Sequence, residues 1–209
     1  MYYFCQMNFS SRILEEAVNA LATLPGLGRK SALRLALHLV QDKSGKSARI
    51  SRALDRLESD IRHCTQCGNL SDDPLCNICK APHRRQNVIC VVETARDVMA
   101  IEDTDQFSGC YHVLGGVISP LDGVGPGELN IDNLIERVNK GGIDEIIMAI
   151  SPTIEGDTTI YYISKLLKDK DVKISVIARG VSFGGELEYA DELTLGRSIV
   201  SRVPYSAQS

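Results

Sequence analysis

No apolar run in this 209-residue sequence approaches the roughly 20 residues of a membrane-spanning helix; the longest, VICVV and IIMAI, are far shorter. The opening MYYFCQMNFSSRIL lacks the basic stretch and long apolar segment of a secretory signal. Internal repeats and low-complexity tracts are missing too, and 44% hydrophobic with 24% charged residues is ordinary globular composition. These absences argue against membrane-bound, exported and disordered classes. The expectation is a cytoplasmic protein whose thiols stay reduced, so its seven cysteines call for an explanation other than disulfides.

The formal net charge is −4, but it is unevenly spread. Residues 1–60 carry nine Lys and Arg against six Asp and Glu, and residues 61–85 carry four against two. Residues 86–209 carry ten against nineteen. A basic amino-terminal region suits a polyanionic partner and the acidic remainder a different task, although a merely solvating surface would give the same counts.

Hydrophobic periodicity divides the chain. In SSRILEEAVNALA (10–22), Ile13, Leu14, Ala17, Val18 and Leu21 recur at helical spacing, with either serine available as a cap. LPGLG breaks the period. A second helix from Arg29 to about Val40 sets Leu33, Leu37 and Val40 in one stripe, with Ala36 beside it. QDKSGKSA reads as a polar loop and ISRALDRLESDIRHC as a third helix running into the first cysteines. Beyond Pro82, the strands VICVV, DEIIMAIS and VKISVIA alternate with helical TARDVMAIEDT, IDNLIERVNK and TTIYYISKLLKD, the pattern of a parallel, helix-covered sheet. From Gly196 onward a polar tail is expected to pack on a neighbour or stay unpacked. The fold class is α/β in several parts: a helical head (1–60), a cysteine module (61–85), an α/β body (86–180) and a carboxy-terminal segment (181–209) that packs or makes oligomer contacts.

CTQCGNLSDDPLCNIC sets Cys64, Cys67, Cys76 and Cys79 as two C-x2-C pairs eight residues apart. Each pair can offer two thiolates to one tetrahedral ion, and together they close a four-sulfur shell with no place for water. One structural Zn2+ per chain is expected, in a compact knuckle; a redox dithiol and an iron–sulfur cluster are the alternatives. His63 and His83 flank the module and are expected to meet solvent or backbone. Cys5, Cys90 and Cys110 have no partner at ligand spacing, and Cys90 reads as a small core residue.

Helix, LPGLG, helix is the layout of a helix-hairpin-helix. Gly26 and Gly28 allow positive φ and close backbone approach, and the turn then presents free N–H groups at the start of the second helix. Arg29 and Lys30 stand at that start and Arg34 one turn beyond Lys30. Cations there oppose the helix dipole, which makes better sense if a phosphate lies between them. Sequence-independent binding to a nucleic-acid backbone is expected; a structural hairpin with solvated charges is the competing explanation. Two other motifs lead nowhere. Gly45-Lys46-Ser47 resembles the end of a P-loop, but Val40 occupies the place of its first glycine. Gly123, Gly125 and Gly127 have the wrong spacing for a dinucleotide fingerprint.

Taken in order, LPGLGRKSA, CTQCGNLSDDPLCNIC, ICVVE, YHVLGGVISPLDGVGP, EGDTT and LEYAD resemble the RecR family of bacterial recombination mediators, over roughly residues 10–200. The resemblance implies a Toprim-type α/β domain, named for topoisomerases and primases, behind the zinc module. It also implies dimers or ring-shaped tetramers that clamp DNA in the bacterial nucleoid. Their partners are RecO and, in some contexts, RecF, and they help RecA load on single-stranded DNA. Lys30 and Arg34 match the family's DNA-contacting cations, with Arg29 beside them, and the four cysteines match its zinc ligands. Glu155 and Asp157 match an acidic patch that faces RecO.

Catalytic Toprim domains end their first strand with glutamate and a later strand with D-x-D, three carboxylates that hold a divalent ion for phosphoryl transfer. Glu93 closes ICVVE and fits the first place, whereas the later positions read Ser151-Pro152-Thr153. Three readings remain: a non-catalytic DNA clamp and mediator, a metal-dependent nuclease- or topoisomerase-like enzyme, and a zinc-stabilised protein adaptor. The first accounts for the basic head, the cysteines and the altered acidic motif together, and the chain is expected not to be an enzyme.

Overall fold

Ser11 starts the first helix: its hydroxyl accepts the Leu14 N–H at 3.3 Å, and α1 runs over Arg12–Ala22. The computed structural model describes residues 9–181, 184 and 186–202, and the chain divides into two units, Met1–Asp60 and Ile61–Ser209. Cys5 lies outside the described residues.

In the first unit, Val18 of α1 packs on Ala32 and Ala36 of α2 (Arg29–Gln41), with Leu14, Leu21 and Leu33 partly covered around them. This corrects the stripe expected on α2. Leu37 and Val40 are exposed, Val40 at 75%, because the line of closest approach between two helices joined by a tight turn is filled by small alanines. The third helix, α3 (Lys46–Ser59), begins inside the expected loop and ends before the cysteines. Asp42 sets its start, its Oδ2 accepting the N–H groups of Ser44 at 3.1 Å and Lys46 at 3.0 Å. No residue of α3 is buried, and Ile50, Leu54 and Leu57 lie exposed along one side.

The second unit opens with an antiparallel pair, β1 (Arg62–His63) and β2 (Leu70–Ser71), and a single turn, α4 (Asn77–Lys80). There follow β3 (Arg85–Val92), α5 (Ala95–Glu102), β4 (Gly109–Val113), α6 (Ile131–Asn139), β5 (Glu145–Ala149), α7 (Ile154–Leu166), β6 (Lys173–Val176) and α8 (Glu192–Val200). The four longer strands form one parallel sheet in the order β4-β3-β5-β6, as the alternating pattern requires. Ile89 and Val91 face a core closed by Leu134 of α6 and Ile163 of α7, while Cys90 and Val92 face Val98 of α5. Cys90 behaves as the small apolar residue expected, burial pushing its thiol up to about 12.

Two further element boundaries, both in the second unit, differ from the sequence pattern. α7 starts ahead of its apolar repeat because the Thr153 hydroxyl accepts the Gly156 N–H at 3.0 Å, so EGDTT occupies the first turns of the helix. The segment from Gly196, expected to pack on a neighbour or stay unpacked, begins within α8, which the Asp191 carboxylate starts by accepting the Thr194 N–H at 2.9 Å. Arg84 fixes the chain where it leaves the cysteine module. Its guanidinium holds both oxygens of Glu102 and donates to the carbonyls of Phe107 at 3.2 Å and Gly109 at 3.3 Å. The Tyr111 hydroxyl donates to the same carboxylate at 2.7 Å.

Candidate nucleic-acid interface and metal centre

The two C-x2-C turns bring the Sγ atoms of Cys64, Cys67, Cys76 and Cys79 within 4.8 Å of one another. Cys67 and Cys76 are 3.6 Å apart, too far for a disulfide and close to the roughly 3.8 Å between sulfurs that share a tetrahedral zinc. The N–H groups of Cys76 and Cys79 point at the sulfurs of Cys64, at 3.3 Å, and Cys76, at 3.5 Å. As bare thiols Cys67, Cys76 and Cys79 are at odds. Hydrogen bonding from Cys79 draws Cys67 down to about 5, burial pushes Cys76 up to about 11, and Cys79 is raised chiefly as donor to Cys67. A divalent cation that takes charge from every sulfur removes the conflict, and four thiolates leave no position open for substrate. His63 bonds backbone, its Nδ1 lying 2.9 Å from the Gly68 carbonyl oxygen, and His83 is exposed.

Gly68, at φ +74°, lets this knuckle lie against β4: a Cβ there would stand 2.8 Å from the Val113 carbonyl oxygen. The Val113 N–H donates to the Cys67 carbonyl at 2.7 Å.

At the amino end, Gly26 takes the left-handed conformation at φ +79°. Gly28 does not: it is extended, with φ −73°, which corrects the expectation of positive φ at both glycines. A Cβ on Gly28 would meet nothing within 4 Å, so the space before α2 is open. Gly28 supplies no side-chain cap, leaving the N–H groups of Arg29, Lys30 and Ser31 without an acceptor among the described residues. Lys30 and Arg34 line one shallow groove of about 460 Å³, while Arg29 is exposed outside its lining. None of the three cations is ion-paired among the described residues. His38, one turn past Arg34, extends the same row. Sequence reasoning misses it, although its i+4 spacing is visible.

The start of α3 shows the contrast. Gly45 also has positive φ, +76°, but the Asp42 carboxylate already occupies the helix start, drawn down to about 2 chiefly by the Lys46 N–H. One helix start is filled by the protein's own anion, and the start of α2 is open to a foreign one.

The carboxyl edge of the sheet brings Glu93 to Ser151, whose N–H donates to Glu93 Oε1 at 2.6 Å. Asp157 pairs with Arg179 at 2.7 Å. Glu155, two residues earlier on α7, projects in another direction, so the two acids do not share a face. Gly156 between them is packed tightly, a Cβ there falling 2.0 Å from the Ser151 carbonyl oxygen. Among the described residues, the four cysteines alone form a group of three or more metal-ligating side chains, so Glu93, Glu155 and Asp157 do not gather round one ion. A small pocket beyond this edge is lined by Arg179, Arg197, Pro152 and Thr194. No helix among the described residues is long and apolar enough to cross a membrane.

Residues 14–57 match the family model of the RecR helix-hairpin-helix, 61–80 that of the RecR four-cysteine zinc finger domain, 87–178 the Toprim domain and 180–203 the RecR C-terminal model. The recombination protein RecR of Parabacteroides distasonis is 54% identical over 201 residues, covering 96% of this chain and 97% of its own. That of Flavobacterium johnsoniae is 53% identical, covering 95% and 97%. That of Porphyromonas gingivalis is also 53% identical, covering 95% and 96%. The four-cysteine knuckle is accordingly a structural zinc site.

Proposed function

Since this chain belongs to the RecR family of recombination proteins, we propose that it acts as a non-catalytic DNA clamp and mediator in recombinational repair. Lys30 and Arg34, with Arg29 at the margin, hold the sugar–phosphate backbone, and the open N–H groups of Arg29, Lys30 and Ser31, which follow the turn through Gly26 and Gly28, donate to a phosphate between them. One observation carries this reading: the uncapped start of α2 has two unpaired cations lining a single groove behind it.

Other features support the finer parts. The exposed stripe Ile50, Leu54 and Leu57 favours self-association into a dimer or ring, since burial between copies removes it from water. Glu155 offers RecO an acid without an ion pair among the described residues, and Asp157, on another side of α7 and paired with Arg179, extends the acidic patch only at its margin. RecF is a partner in some contexts, and the outcome is RecA loading on single-stranded DNA in the bacterial cytoplasm, at the nucleoid. Against catalysis stand the engagement of Glu93 with the Ser151 N–H and the neutral residues at 151–153.

A Lys30→Ala/Arg34→Ala variant tests the reading by titration with DNA of unrelated sequences at several salt concentrations. Affinity falls alike for every sequence, and the slope against log[salt] flattens by about 1.5. Unchanged affinity would overturn it in favour of a protein adaptor.

A further inference from the structure

α6 carries a buried cation with no counter-ion among the described residues. Arg137 is only 8% exposed; its Nη1 donates to the Tyr111 carbonyl at 2.8 Å, and its Nη2 is buried without a hydrogen-bond partner. Its ionisable neighbours on β4 are Cys110 and His112. The thiol is raised by burial, against the influence of Arg137, and His112 is pushed down to about 4, chiefly by burial. Both are neutral near pH 7, so neither balances the guanidinium, and every ion pair among the described residues lies elsewhere. A charge so placed is strongly unfavourable unless something anionic comes to it.

The surroundings show where that anion enters. Arg137 and Lys140, one turn further along, line a groove of about 510 Å³ between the cysteine knuckle and the end of α6. Thr65, Gln66, Gln86 and Asn133 line it as well; the Thr65 hydroxyl is donated to the Pro74 carbonyl at 3.1 Å, so the three amides supply the free donors, and no carboxylate lines the groove among the described residues. The volume is that of a small-molecule site, large enough for a phosphate with a nucleoside attached.

We propose that this groove is a second phosphate site, with Arg137 as its inner cation, Lys140 at its rim and the Gln66, Gln86 and Asn133 amides completing its hydrogen bonds. Nη1 is held by the Tyr111 carbonyl, so Nη2 is the amino group left for the oxyanion, a charge-assisted contact for which a guanidinium is suited. The phosphate comes either from a DNA strand or from a free nucleotide or phosphate ion. The site lies in the second unit and does not depend on the hairpin.

The test uses the zinc-loaded full chain carrying Lys30→Ala/Arg34→Ala, which removes the proposed hairpin contacts and leaves this groove intact. Inorganic phosphate, titrated calorimetrically at constant ionic strength, binds saturably at one site per chain. Lys140→Glu, an exposed change that spares the fold, weakens binding at least tenfold, and Arg137→Gln abolishes it. If the source is DNA, residual binding of oligodeoxythymidylate in this background also disappears with Lys140→Glu. If the source is free, thymidine monophosphate competes with inorganic phosphate and the oligonucleotide does not. Either arm supports the site. Phosphate uptake that never saturates, or equal affinity in the folded Lys140→Glu protein, overturns it.

Discussion

Glu93 and Ser151 are joined across the carboxyl edge of the sheet, the glutamate Oε1 accepting the serine N–H at 2.6 Å. A carboxylate so placed holds two strand ends together. Supercoiled DNA incubated with the protein and magnesium is expected to stay intact, for the parent and for Glu93→Gln alike. The variant unfolds at slightly lower temperature, having lost about 1 kcal/mol of charge assistance. Magnesium-dependent nicking that Glu93→Gln abolishes would establish an enzyme.

Metal analysis of the purified chain should give one zinc per protein. Chelation, or Cys67→Ser, is expected to unfold the knuckle, because metal binding and folding of this segment are one event. Acid should act in the same direction, since the sulfurs must be deprotonated to hold the ion.

Glu102 lies below its ordinary carboxyl range chiefly because Arg84 hydrogen-bonds it, with Tyr111 assisting. A depressed folded pKa means stability that is fully present above the unfolded value, about 4.3, and is lost as pH falls through the folded one. Glu102→Gln should cost roughly 1.5–3 kcal/mol at neutral pH by leaving Arg84 without its anion. Denaturation midpoints of parent and variant should converge as pH falls below about 4.3, the unfolded-state value. Parallel pH profiles would show that the pair contributes nothing.

Charge reversal at Glu155 is expected to weaken RecO capture and leave DNA affinity unchanged. Asp157→Asn should do less, because Arg179 already neutralises that acid. Equal RecO binding by Glu155→Lys would remove this face of α7 from the interface.

The parallel sheet and the zinc knuckle are legible in the sequence because each rests on local spacing: apolar runs alternating with helical repeats, and paired C-x2-C turns. The buried face of α2 is not. Leucines dominate its pattern, but the backbone approach selects Ala32 and Ala36. The starts of α3 and α7 escape the apolar repeat because Asp42 and Thr153, polar residues outside it, set them. Arg137 gives no signal: in IDNLIERVNK it looks like any solvated cation, and only the fold turns it toward the Tyr111 carbonyl.

The bond between the Val113 N–H and the Cys67 carbonyl has a consequence for solubility. β4 is an outer strand, and an uncovered strand margin invites pairing with another chain. The cysteine turn takes up its last amide, while the Asn130 side chain holds the Val113 carbonyl at 3.1 Å. Zinc thereby guards this margin against aggregation, and a protein stripped of its metal should clump before the rest of the sheet has come apart.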